Sequence, residues 1–299
     1  MKRFFLTLSA GLLATALGLA ATEYVVARPG TRFANLPYVA ATAPDFDAQR
    51  HRLDVYAPNE RLPAGRPVVL FIHGGSWNSG SKDVFIYKAI GRRLARQGIV
   101  GVVISYRLSP QVHVPEQAAD CARALAWTVQ HIKEYGGDPA RVYVMGHSAG
   151  GGLAGLLAAD DSLLARHGLP RNPVRGAIMD DPAGLDMYTY LKRREYGDED
   201  EYLIPFTHDP AVWRENSALY HLHAGSPPFV FFIGGKTYPS ISSSAARVRD
   251  RLRALGQPPH YQVLPGKHHI PMVLQLYWTD NVIYQEIRKM VFGATSGGQ

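Results

Sequence analysis

Gly146-His147-Ser148-Ala149-Gly150 sets a serine between two glycines. The apolar run Val142–Met145 precedes it, and an Ala- and Gly-rich helical pattern over Gly152–Ala159 follows. A serine at a sharp turn between a buried strand and a helix stands exposed, because the flanking positions carry no side chain to crowd it. The start of the helix also brings a positive dipole end to where anionic charge would develop. This context points to nucleophilic chemistry at Ser148. The plain alternative is a glycine-rich turn with an incidental serine.

A second stretch, Pro67 to Gly80, reads PVVLFIHGGSWNSG. Its apolar run is a buried strand that ends in bare backbone at Gly74 and Gly75. A loop that needed only to turn could use one glycine, so the pair implies something approaching the backbone closely. Acyl transfer produces an oxyanion, which is stabilised by donors fixed in advance. His73 is expected to hold this loop by hydrogen bonds. Trp77 is expected either to wall a pocket or to pack structurally.

The motifs HGGSW, YRLSP (Tyr106–Pro110) and GHSAG together resemble the α/β-hydrolase fold serine esterases of the carboxylesterase, hormone-sensitive lipase and kynurenine formamidase type. The resemblance spans about residues 50–293. It implies that Ser148 is the nucleophile and that the Gly74, Gly75 and Ala149 amides form an oxyanion hole. It also implies a base after the last strand, where VLPGKHHIPMV offers His268 and His269. His269, which precedes Ile270, matches better.

The acid departs from the pattern. Related esterases carry it after the strand at Phe229–Ile233, in a segment like GxKDYPS, but this chain reads GGKTYPS with Thr237 at that position. Threonine cannot ionise. Asp180 and Asp181 end the preceding strand pattern, and Asp181–Gly184 (DPAG) resembles the acid context of the pancreatic-type lipases. Asp181 is therefore the expected acid, with Asp180 and Asp186 as alternatives. These aspartates could instead cap the following helix.

The elements that must position these groups alternate. Apolar strand patterns lie at Leu53–Tyr56, Val68–His73, Val100–Tyr106, Val142–Met145, Gly176–Met179, Phe229–Ile233 and Tyr261–Leu264. Helical patterns lie between them at Lys88–Gln97, Glu116–Glu134, Gly152–Ala159, Ser243–Leu255 and Asn281–Phe292. Alternation of this kind predicts a mainly parallel, doubly wound sheet, an α/β fold and here the α/β-hydrolase fold. Asp186–Pro228 breaks the rhythm with no clear strand and reads as a lid or cap insertion whose GDED run is a solvated face. Thr22–Asp45 reads as an arm.

The chain of 299 residues, 46% hydrophobic and 19% charged, is long enough to bury a large core as a single domain over residues 22–299. Its net charge is +7, but the basic residues form no clustered patch, so no nucleic-acid partner is expected. Residues 1–21 open with Lys2 and Arg3 before an apolar stretch that closes on small residues, the pattern of a bacterial-type secretory signal peptide. A periplasmic or secreted enzyme without stable membrane insertion is expected, with an uncleaved anchor as the alternative. The single cysteine, Cys121, lies in a helical pattern and reads as core. His221 and His223 lack the companions of a metal site. The expected function is hydrolysis of small-molecule carboxylic esters by a Ser-His-Asp acyl-enzyme route needing no metal or cofactor. Two alternatives remain: an amidase or peptidase on the same machinery, or a non-catalytic binding protein of hydrolase fold.

Overall fold

The computed structural model describes residues 30–293. The expected signal segment, residues 1–21, lies outside them. Eight strands form one sheet: β1 (Gly30–Pro37), β2 (Arg52–Pro58), β3 (Arg66–Ile72), β4 (Val100–Ile104), β5 (Gly137–Ser148), β6 (Val174–Pro182), β7 (Phe229–Gly234) and β8 (His260–Leu264). Their order across the sheet is β1-β2-β4-β3-β5-β6-β7-β8. The pairs β1/β2 and β2/β4 are antiparallel, and all others are parallel.

The inner strands are apolar runs because both sheet faces are covered there. Successive side chains point to opposite faces. Val68, Leu70 and Ile72 therefore enter one core cluster, while Val69 and Phe71 enter the other. The first cluster is closed by α2 (Val114–His131) with Cys121 and Leu125, by α3 (Ala149–Ala159) with Leu153 and Leu157, and by α8 (Pro239–Ala254) with Val248 and Leu252. The second is closed by α1 (Phe85–Arg96) with Ile90 and Leu94, and by α10 (Val282–Phe292) with Ile283 and Ile287. Cys121 is fully buried, as expected of a core residue.

Two expectations need correction. The supposed arm contains β1, an edge strand whose burial is only partial and whose pattern is therefore weak. A bulge between Phe33 and Leu36 interrupts its register, with Asn35 at φ 58°. Asp54, fully buried, ties this edge by accepting from the Asn35 amide at 2.9 Å and from Arg32 Nε at 2.8 Å, and Lys82 Nζ lies 3.0 Å from it. The strand pattern read at Gly176–Met179 also runs further, to Pro182, so Asp180 and Asp181 belong to the strand end itself. The segment 186–228 contains no strand. It carries the short helices α5 (Met187–Arg193), α6 (Glu199–Phe206) and α7 (Pro210–Glu215), after α4 (Asp161–Arg166) earlier in the chain.

Candidate active site

β5 ends at Ser148 and α3 starts at Ala149 with no intervening loop. The chain makes that turn by holding Ser148 at φ 55°, ψ −127°. A non-glycine residue there is strained by about 1–3 kcal/mol. The surroundings enforce it: the Ala183 amide donates to the Ser148 carbonyl at 2.9 Å. Gly150 is required by close approach, since a Cβ there would lie 2.2 Å from the Ile72 carbonyl oxygen.

His269 is the first residue of α9 (His269–Leu274), directly after the β8 loop. Its Nε2 accepts from the Ser148 hydroxyl at 2.8 Å. With the ring proton on Nδ1, that nitrogen donates to Asp181 Oδ2 at 2.6 Å. Asp181 is fully buried and sits at φ 46°. It also accepts from the Gly234 amide at 2.8 Å and from Thr237 Oγ1 at 2.5 Å. Thr237, at the position where the resemblance implies an acid, instead donates to the Asp181 carboxylate at the end of the neighbouring strand β6. His268 precedes the helix as its N-cap residue.

The alternative acids take other partners. Asp180 pairs with His147, whose Nδ1 donates to its Oδ2 at 2.9 Å. Burial pushes the Asp180 carboxyl up from its ordinary value, and the neighbouring His147 opposes that rise. Asp186 caps α5, accepting from the Thr189 amide at 3.1 Å, and is bound by Tyr220 and Arg247. The capping alternative therefore describes Asp186 and not Asp181.

A cavity of about 550 Å³ opens at Ser148 and His269. Gly75, Ser76, Trp77, Tyr190, Tyr202 and Tyr238 are among its lining residues. Gly75 has φ 125°, and a Cβ there would lie 2.3 Å from the Ser79 carbonyl oxygen, so only glycine fits. Gly74 lies beside Ser148 but off the cavity wall, and its backbone amide faces the Tyr87 hydroxyl. Ser76, which sequence reasoning passed over, takes its place on the wall at φ 50°. Ala149 is fully buried at the first turn of α3, directly beyond Ser148.

The loop carrying these glycines is fixed from behind. His73 is fully buried, and its Nδ1 lies 2.8 Å from the Gly74 carbonyl oxygen. Tyr106 stacks on it at 4.4 Å and donates to its carbonyl at 3.0 Å. Burial lowers the His73 pKa to about 4, so the ring is neutral at pH 7. Trp77 meets both expectations. It lines the cavity, yet is 2% exposed and packs edge-on against Phe206 of α6 at 4.9 Å.

A family model described as BD-FAE matches residues 53–246, from β2 into α8. The chain belongs to the BD-FAE family. Among similar proteins is a probable isoprenylcysteine alpha-carbonyl methylesterase of Arabidopsis thaliana, 30% identical over 80% of this chain and 52% of that protein. Another is esterase LipC of Mycobacterium tuberculosis, 31% identical over 73% of this chain and 56% of that protein. The chain thus spans about half the length of these curated relatives. Among solved structures, esterase B from Lactobacillus rhamnosis superposes with a TM-score of 0.73 at 21% identity, covering 94% of this chain and 93% of that one. A thermophilic esterase from Thermogutta terrifontis gives 0.69 at 21%, covering 91% and 96%. The sheet of this BD-FAE chain is that of the α/β-hydrolase fold.

Among the described residues no group of three His, Cys, Asp or Glu side chains could hold a metal ion. His221 lies 3.6 Å from Asp160, and His223 lies 3.3 Å from Asp161. No helix of the described residues is long and apolar enough to cross a membrane.

Proposed function

We propose that this BD-FAE chain hydrolyses small-molecule carboxylic esters through an acyl-enzyme on Ser148. One observation carries the reading: the unbroken line Ser148 Oγ, His269, Asp181, with hydrogen bonds of 2.8 and 2.6 Å, opening on a cavity. In this reading Ser148 Oγ attacks the ester carbonyl while His269 Nε2 takes its proton. Asp181 keeps the second ring proton on Nδ1 and stabilises the imidazolium that forms. The Gly75 and Ala149 amides donate to the oxyanion, with Ser76 beside them in place of the expected Gly74. The intermediate collapses, and His269 returns the proton to the departing alkoxide. Water then attacks the acyl-serine, losing its proton to His269, and the carboxylic acid leaves with Ser148 restored.

The cavity limits the substrate. Among the described residues its charged lining residues other than histidine are Asp186, Asp198 and Glu201, with no lysine or arginine. Asp186 is paired with Arg247 at 2.5 Å, which leaves Asp198 and Glu201 to set the local field. Neutral and cationic esters therefore suit the site better than anionic ones. The names of the similar esterases support ester chemistry, and the sequence likeness includes the serine turn.

The test is hydrolysis of short-chain p-nitrophenyl esters by the wild type and by Ser148→Ala. The expected outcome is turnover in the wild type and a loss of at least about 10⁴-fold in the variant, with circular dichroism unchanged. Comparable turnover in both would remove the serine route.

A further inference from the structure

The two aspartates that end β6 serve two different histidines. β5 and β6 are parallel neighbours, and their register sets His147 opposite Asp180. His147 is 2% exposed and Asp180 is fully buried. The His147 Nδ1–H donates to Asp180 Oδ2 at 2.9 Å and lies 3.1 Å from the Asp180 carbonyl oxygen, which fixes both ring orientation and tautomer. The remaining polar atoms of the pair, His147 Nε2 and Asp180 Oδ1, are buried with no hydrogen-bond partner among the described residues. A pair kept for stability alone would not leave two such atoms unsatisfied, and apolar residues of similar shape would serve better.

His147 also stacks face to face on His269, with ring centroids 4.7 Å apart and planes 26° from parallel. Tyr238 also packs edge-on against His269 at 5.2 Å. Taking His269 as the base, as proposed above, we propose that the His147–Asp180 couple is a positioning pair that holds the His269 ring and sets its basicity. The imidazolium formed during reaction rests against the His147 ring, which is backed by a second buried carboxyl group. That carboxylate favours the protonated ring, in addition to the direct contact from Asp181. Were His147 itself protonated, two cations would be stacked together and the base would be suppressed. The other groups facing the pair are Asp181 on β6, Tyr87 on α1 and Tyr284 on α10. Burial raises the pKa of both phenols, which therefore stay neutral.

The test is the pH profile of kcat/KM for a p-nitrophenyl ester in the wild type, Asp180→Asn and His147→Gln. Removing the Asp180 charge disfavours the protonated base, so its pKa falls. In Asp180→Asn the acid limb should move about one pH unit lower, and the plateau should drop about tenfold. His147→Gln keeps a donor for Asp180 and keeps the charge. Its acid limb should move less, while its kcat falls through loss of the stacked ring. Reduced activity with the acid limb unmoved in both variants would mean a structural role only and would overturn the proposal. Histidine-ring NMR of the wild type decides the matter if either variant fails to fold or if the wild type shows no ester turnover. His147 should remain neutral, with its proton on Nδ1, at the pH where His269 protonates. Protonation of His147 ahead of His269 would contradict the proposal. Absent wild-type turnover would count against the ester reading, a result separate from an unmoved acid limb.

Discussion

Asp181 holds three hydrogen bonds while wholly buried, from Gly234, Thr237 and His269. A carboxylate so satisfied can hold a histidine tautomer without being displaced by water. Asp181→Asn presents the wrong partner to Nδ1 and should lower kcat by about 10⁴-fold with the fold intact. Thr237→Ala removes one donor of three and should cost about tenfold, since the imidazole contact survives. Steady-state kinetics on both variants check this; equal losses would mean that Thr237 does more than support the carboxylate. That a carboxylate from the preceding strand meets His269 was legible, because the sequence lacks a carboxylate at Thr237 and offers Asp180 and Asp181 one strand earlier. Which of the two faces His269 follows from strand alternation and from the left-handed φ of Asp181, and the second cannot be read from residue types. His147 gave no such signal. Its partner lies on a neighbouring strand, and cross-strand register is invisible in a single stretch of sequence.

At the scale of elements, the loop after β3 is held by a buried neutral imidazole. The His73 pKa is lowered by burial to about 4, against an ordinary value near 6.5. A histidine with a depressed folded pKa stabilises the fold above its unfolded pKa, and that stability is lost as the pH falls through the folded value. Acidification from about pH 6.5 to 4 should thus cost about 3 kcal/mol from this residue. In His73→Gln that part of the decline should vanish, although the variant starts less stable. Urea denaturation at several pH values measures it, and an unchanged pH dependence would contradict the burial argument. The strongly patterned elements, β2 to β7 and the long helices, were legible because both faces of the sheet are apolar there. β1 was not, because an edge strand half exposed to water carries no clean alternation, and its bulge at Asn35 breaks what pattern there is. The helices of 187–215 are short, at six to eight residues, and depend on packing such as Phe206 against Trp77 more than on their own periodicity.

For the whole molecule, a chain of net charge +7 holds a cavity whose lining, among the described residues, carries carboxylates but no lysine or arginine. Overall charge and local field therefore point in opposite directions. Of two esters matched in size, one neutral and one ending in a carboxylate, the neutral one should have the higher kcat/KM by about tenfold at low salt. Glu201→Lys should narrow that ratio, and added salt should do the same. A ratio indifferent to both changes would show that the field at Glu201 does not reach the substrate. Ser148 as the nucleophile is the central claim, and its covalent capture can be observed directly. A fluorophosphonate probe, followed by peptide mass spectrometry, should place one adduct on the peptide containing Ser148, and Ser148→Ala should abolish it. A folded wild type that takes up no probe, or an adduct that persists in Ser148→Ala, would contradict it.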